Sequence, residues 1–128
     1  LKAIENGNFK SAGNLAFLYE MQGKKKEAEE ILLKASNEND ADAMNNLGYM
    51  YTIGIGVTIN NESAISWYEK AANLGNENAQ INLGFMYISA QGVPKDLKKA
   101  AFYIKKAKDG GSSKADSLWV ELELEKYL

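Results

Sequence analysis

Residues Ala43 to Gly75 read AMNNLGYMYTIGIGVTINNESAISWYEKAANLG, and thirty-six residues later much of this text returns. Ala43 is answered by Ala79, Leu47-Gly48 by Leu83-Gly84, Met50-Tyr51 by Met86-Tyr87 and Gly56-Val57 by Gly92-Val93. Ala64 becomes Ala100, Trp67 becomes Tyr103, Lys70-Ala71 becomes Lys106-Ala107 and Gly75 becomes Gly111. Self-similarity at one fixed offset of this size is the mark of stacked structural repeats. Within each copy the apolar residues recur at helical spacing, so the expected fold class is all-α.

Composition narrows the rest. The chain has 128 residues, the size of one domain, with 45% apolar and 25% charged residues and a net charge of −2. That balance gives no overall pull toward nucleic acid or an anionic membrane. No run approaches the length of a membrane-spanning helix. There is no Cys and no His. Disulfides, Cys-ligated zinc, a thiol nucleophile and a Ser-His-Asp or Cys-His apparatus are therefore excluded. No cofactor or metal is expected. The chain opens at Leu1, without Met or a signal peptide, and reads as a fragment or processed chain. Its composition fits the cytoplasm or the periplasm equally.

The repeat register divides the chain. In residues 1–8, Lys2, Ala3, Gly7 and Asn8 have the mutual spacing of Lys70, Ala71, Gly75 and Asn76. This reads as the end of a preceding repeat. Residues 9–40 form a first unit, with Ala12, Leu15, Ala16 and Tyr19 on one helix and Ala28, Ile31, Leu32 and Ala35 on the next. Its interhelix loop is four residues shorter than in the units 41–76 and 77–111. Residues 112–128 read as a cap, with a final helix over about 113–127. Seven helices are expected in all. Gly48 and Gly84 lie inside helices, at a cost of roughly 1 kcal/mol each relative to Ala. The same cost at one register implies that a neighbour packs against bare backbone. Gly56 and Gly92 are expected to take positive φ at helix ends, and Asn60 and Asp96 to cap the following helices.

The pattern A-x-x-x-L-G-x-M-Y, G-x-G-V-x-x-[ND], A-x-x-W-Y-x-K-A-A-x-x-G resembles the Sel-one-like repeat, a tetratricopeptide-like repeat with a longer interhelix loop. Residues 43–75 match it closely. Residues 79–111 depart at Ala90, at Tyr103-Ile104 and at Lys108, and the first unit resembles the shorter tetratricopeptide repeat. The resemblance implies antiparallel helix pairs stacked into an α-α superhelix, a right-handed solenoid. It also implies a protein-binding role as adaptor, scaffold or regulator, often bacterial. Some cysteine-rich relatives use disulfides; this chain must rely on packing.

In such folds the first helix of each pair lines a concave groove. If Leu47, Gly48 and Tyr51 face the core, Asp42, Asn45, Asn46, Tyr49 and Ile53 run along the other side. Asn14, Phe17 and Glu20 stand in register on one flank, and Asn78, Ile81, Asn82, Phe85 and Ile88 on the other. Two ladders result: Asn14, Asn46, Asn82 and Phe17, Tyr49, Phe85. Each Asn either bonds a bound peptide or links adjacent layers. Each aromatic is either an exposed anchor or interlayer packing. Aromatics are enriched at binding hot spots.

Residues 77–111 carry six Lys, namely Lys95, Lys98, Lys99, Lys105, Lys106 and Lys108, against three acids. The plain reading is a solvated outer helix face, and the functional one is a basic patch for an acidic partner or nucleic acid. The leading expectation is a non-enzymatic module that takes a partner protein or peptide in the groove, an immunity-type inhibitor being one version of that role. It is read as a monomer or weak end-to-end dimer, with no nucleic acid and no membrane. The alternative is an enzyme such as a cell-wall hydrolase, with Glu62, Glu69 and Asp96 supplying carboxylates.

Overall fold

The computed structural model describes residues 19, 21–54 and 59–128. The expected end of a preceding repeat and most of the first helix of the first unit lie outside them. Six α-helices and no strand occur among the described residues: α1 (Lys25–Asn37), α2 (Ala41–Ile53), α3 (Asn61–Asn73), α4 (Glu77–Ser89), α5 (Leu97–Asp109) and α6 (Ser113–Glu121). A 3₁₀ helix, Leu124–Tyr127, follows. Helices α1 to α5 have 13 residues each. Every helix packs on its neighbour in the chain, α2 on α3 and α4 on α5 most extensively. This is an all-α helical solenoid, in which each layer meets only the layers beside it.

Local chemistry starts and stops each helix. Asp40, Asn60, Asn76, Asp96 and Ser112 cap α2 to α6, each accepting from a backbone N–H in the first turn. The loops are also tied back to the helix before them. The Asn60 N–H donates to the Tyr51 carbonyl at 3.0 Å, and the Asp96 N–H to the Tyr87 carbonyl at 3.1 Å. The left-handed residues that end α2 and α4 are Gly54 (φ 76°) and Ala90 (φ 56°), not the expected Gly56 and Gly92. Gly92 does take positive φ, but inside the loop. Gly56 lies outside the described residues.

The core follows the repeat text. Leu47, Ala64, Ala71, Leu83, Ala100, Ile104 and Ala107 are wholly buried. Trp67 is partly buried and packs on the clusters of both neighbouring layers. The helix-interior glycines have a direct cause. A Cβ on Gly48 would lie 2.7 Å from the Tyr68 ring, and one on Gly84 would lie 2.5 Å from the Ile104 side chain. The second helix of each pair thus presses a large side chain, rather than its backbone, onto the bare backbone of the first.

The final helix is shorter than expected. α6 ends at Glu121, Glu123 turns left-handed at φ 51°, and the chain refolds as the 3₁₀ helix. Glu123 stands where Tyr51 and Tyr87 stand in the earlier units, facing the helix partner. An unbroken helix would carry that carboxylate toward apolar surroundings, which is unfavourable without a partner. Breaking there leaves Glu123 exposed and buries Leu124 against Ile81, Ala101, Ile104, Ala107 and Ala115.

Candidate partner-binding face

The first helices of successive pairs, α2 and α4, lie side by side. Two amide contacts join them. Asn76, which caps α4 through its oxygen, donates its Nδ2 to Asp42 Oδ1 at 2.7 Å. One turn further on, Asn82 Nδ2 donates to Asn45 Oδ1 at 3.1 Å. The Asn82 and Asn45 amides are therefore engaged in linking layers, and the proposed Asn ladder is in this part a structural tie. Asn46 is half-buried.

The aromatic ladder behaves differently. Tyr49 is 52% exposed, Phe85 40% and Ile53 40%. These two rings occupy one register on adjacent helices, about a turn beyond the amide tie. Asp42 and Asn78 are exposed at the helix starts. Thr52 points its hydroxyl back to the Gly48 carbonyl (2.9 Å), and Ser89 does the same to Phe85 (2.7 Å). The face thus presents large apolar side chains whose polar neighbours are mostly satisfied internally.

Ile81 and Ile88 depart from the expectation that they join this face. Ile81 is 3% exposed and sits in the apolar cluster beneath α5 and α6. Ile88 is half-buried against two clusters. The repeat period explains Ile81. It holds the register of Asn45, the side that meets the following layer. There the facing register of Asn82 is filled by Leu118, which packs on the same cluster as Ile81. A polar tie joins α2 to α4, and an apolar contact replaces it between α4 and α6. Asn14, Phe17 and Glu20 lie outside the described residues.

Among the described residues Glu62, Asp96, Glu123 and Glu125 do not converge on an enclosed site. Asp96 caps α5 through the Lys99 N–H. Glu62 is exposed. An open hollow beside α6 is lined by Trp119, Val120, Glu123, Glu125 and Lys126, but both glutamates are exposed and Lys126 lies 3.5 Å from Glu123. No group of His, Cys, Asp or Glu side chains among the described residues could hold a metal ion. No helix among them is long and apolar enough to cross a membrane. Three phenols are perturbed, all upward. Burial is the main cause for Tyr51, Tyr68 and Tyr103, with the Glu29 charge second for Tyr51 and the Glu69 charge second for Tyr103. These are mainly packing effects on the stack, although the Tyr68 phenol also feels Thr52 and the ladder residue Tyr49.

The serial helix pairs, the glycine seats and the amide-tied first helices define a tetratricopeptide-like repeat protein. More particularly, the Sel1 repeat model matches residues 41–76 and 78–112, more than half of the chain, so the chain belongs to the Sel1 repeat family. Solved structures agree. A Sel1 repeat protein from Oxalobacter formigenes superposes with a TM-score of 0.77 at 30% identity, over 89% of this chain and 48% of that one. The protein c5321, a protective antigen present in uropathogenic Escherichia coli strains that displays an SLR fold, gives 0.74 at 28%, over 88% and 25%. Cysteine-rich protein B of Helicobacter pylori gives 0.73 at 26%, over 91% and 92%. The chain spans about half the length of the first of these and a quarter of the second. No curated protein matches it. Sel1 repeat proteins are typically protein-interaction modules and generally non-enzymatic scaffolds.

Proposed function

We propose that this chain is a non-enzymatic interaction module that binds a partner protein or peptide along the exposed face of α2 and α4. The observation that carries this reading is the pair Tyr49 and Phe85. Both rings are partly open to solvent, Tyr49 by about half and Phe85 by 40%, at one register on adjacent helices, with Ile53 beside them. Large aromatics left exposed on a well-packed protein are the kind of anchor that dominates binding energy when a partner covers them. The repeats act as a rigid frame, and the residues that differ between copies set the choice of partner. Within this reading the chain serves as an adaptor, scaffold or regulator, and an immunity-type inhibitor is one version of that role.

The test is affinity capture with wild-type protein and with a Tyr49→Ala/Phe85→Ala double variant. Partners retained by the wild type should bind the variant at least about tenfold more weakly, since each anchor contributes on the order of 1–2 kcal/mol. Both side chains are exposed, so the far-UV circular dichroism of the variant should match the wild type. Equal capture by a folded double variant would remove this face from the interaction.

A further inference from the structure

The outward face of α5 differs from the same face of α3, and the repeat register makes the comparison residue by residue. α3 carries Glu62, Ser63, Ser66 and Glu69; α5 carries Lys98, Lys99, Phe102 and Lys105 at the same positions. Lys70 and Lys106 are shared. A mixed, small-residue face in one unit becomes cationic and aromatic in the next. Phe102 is 52% exposed although Ser66 shows that a small polar residue suffices there for the fold. Its ring is nonetheless held in place. It meets Tyr103 edge-on, with centroids 5.2 Å apart, and Tyr103 stacks on the buried Tyr87 at 6.3 Å. Lys106 lies 5.2 Å over Phe102 and Lys99 lies 5.3 Å over Tyr87. Lys105 pairs with Asp109 and Lys108 with Asp116. Among the described residues, Lys95, Lys98, Lys99 and Lys106 have no carboxylate within bridging distance.

The geometry points to a second binding surface here, separate from the α2–α4 face, that takes an extended acidic peptide of the form acidic–x–apolar–x–acidic. Lys98, Phe102 and Lys106 follow each other at i, i+4 and i+8 along one helix row, so their backbones are spaced about 6 Å apart and span about 12 Å. Alternate residues of an extended chain project to one side about every 6.7 Å. An extended peptide can therefore set an acid on Lys98, an apolar side chain on Phe102 and a second acid on Lys106 in one register. Salt-dependent charge pairing and burial of the Phe102 ring reinforce each other along the row. The short span disfavours a nucleic-acid track: the neighbouring face of α3 presents Glu62 and Glu69, Asp109 follows the row, and all fifteen cationic residues of the chain are Lys rather than Arg.

The experiment is a fluorescence-anisotropy titration of the whole chain with a labelled peptide carrying Glu, Leu and Glu at alternate positions in a Ser/Gly background. Binding to the wild type should weaken at least about tenfold in Lys98→Glu/Phe102→Ser, which writes the α3 residues onto α5, and should be unchanged in Tyr49→Ala/Phe85→Ala. Replacing the peptide's Leu by Ser should weaken binding at least about threefold, because the Phe102 ring then stays wet. The proposal is overturned if the wild type does not bind, if the α3-like variant binds equally, or if the Ser peptide binds as well as the Leu peptide. Loss of binding in the Tyr49/Phe85 variant would move the peptide to the other face and overturn it too. So would equal, Lys98-dependent binding of a single-stranded oligonucleotide or of phosphatidylserine vesicles.

Discussion

The two full repeats, α2–α3 and α4–α5, share a period but solve the same contacts with different atoms. Gly48 receives the flat ring of Tyr68, and Gly84 receives the branched side chain of Ile104. α2 ends on Gly54, and α4 ends on Ala90 in the same left-handed turn. The first repeat meets the second through the Asn45–Asn82 amides, and the second meets α6 through the cluster of Ile81 and Leu118. Tyr51 donates to Glu29 at 3.3 Å, whereas its counterpart Tyr87 stacks with Tyr103 beneath Lys99. The repeat thus specifies where contacts fall, and each unit fills them according to its neighbour.

The glycine seats allow the hardest test of that view. Gly48→Val places methyl groups where the Tyr68 ring already lies, and should destabilise the protein by about 2–4 kcal/mol despite the better helix propensity. Gly84→Val should cost somewhat more, about 3–5 kcal/mol, because the contact starts closer and Ile104 is wholly buried and stiff at χ1. Urea unfolding gives both values; equal costs would mean that the two seats are interchangeable.

A smaller effect should come from the layer ties. Asn82→Leu leaves the half-buried Asn45 amide without its partner and should cost about 1–2 kcal/mol. The double change Asn45→Ile/Asn82→Leu copies the apolar contact of the next layer and should recover most of that loss. A double-mutant cycle by thermal unfolding measures the coupling. Additive losses would show that the amides do not act as a pair.

Ala90 offers a gain. A left-handed Ala is strained by about 1–2 kcal/mol, partly offset by the greater freedom of Gly in the unfolded chain. Ala90→Gly should therefore raise stability by about 0.5–1 kcal/mol, and Gly54→Ala should lower it. If both substitutions destabilise, the two helix ends are not equivalent.

The smallest effect concerns alkaline pH. Burial, with Glu29 behind it, holds the Tyr51 phenol above its ordinary value of 10.0, and burial does the same for Tyr68. Below that value both folded and unfolded chains keep these protons. As pH rises past it, the unfolded chain releases them first, so stability falls until the native phenols also ionise. Tyr68→Phe and Tyr51→Phe should each make this fall shallower in denaturant titrations between about pH 9 and 11. An unchanged slope would mean that other groups govern the alkaline limit.

The fold was legible because a repeat states each packing rule twice. Leu47 and Leu83, Ala64 and Ala100, Ala71 and Ala107 identify one another as core without any structural knowledge, and Asn60 and Asp96 identify each other as caps. The face was legible only in part. Tyr49, Ile53 and Phe85 are exposed, where register alone left the two aromatics open between anchor and packing, and Ile81 is buried, because its surroundings depend on Leu118 in the next layer. Reading position 81 against 118, as 45 reads against 82, carries that signal; aligning each copy only with itself hides it. The break at Glu123 was missed because Leu118–Leu122 and Val120–Leu124 keep a four-residue helical spacing; the strict Glu/Leu alternation over 121–125 and the wrong residue at the tyrosine register both mark the stop.

Val120 occupies the register of Gly48 and Gly84, and it is 76% exposed. At the two glycines the second helix closes to within a side chain's thickness of bare backbone; at Val120 a pair of methyl groups already fills that space. That register therefore sets how closely the second helix of a pair can approach the first: with Gly, to contact with bare backbone; with Val, only to the far side of two methyl groups.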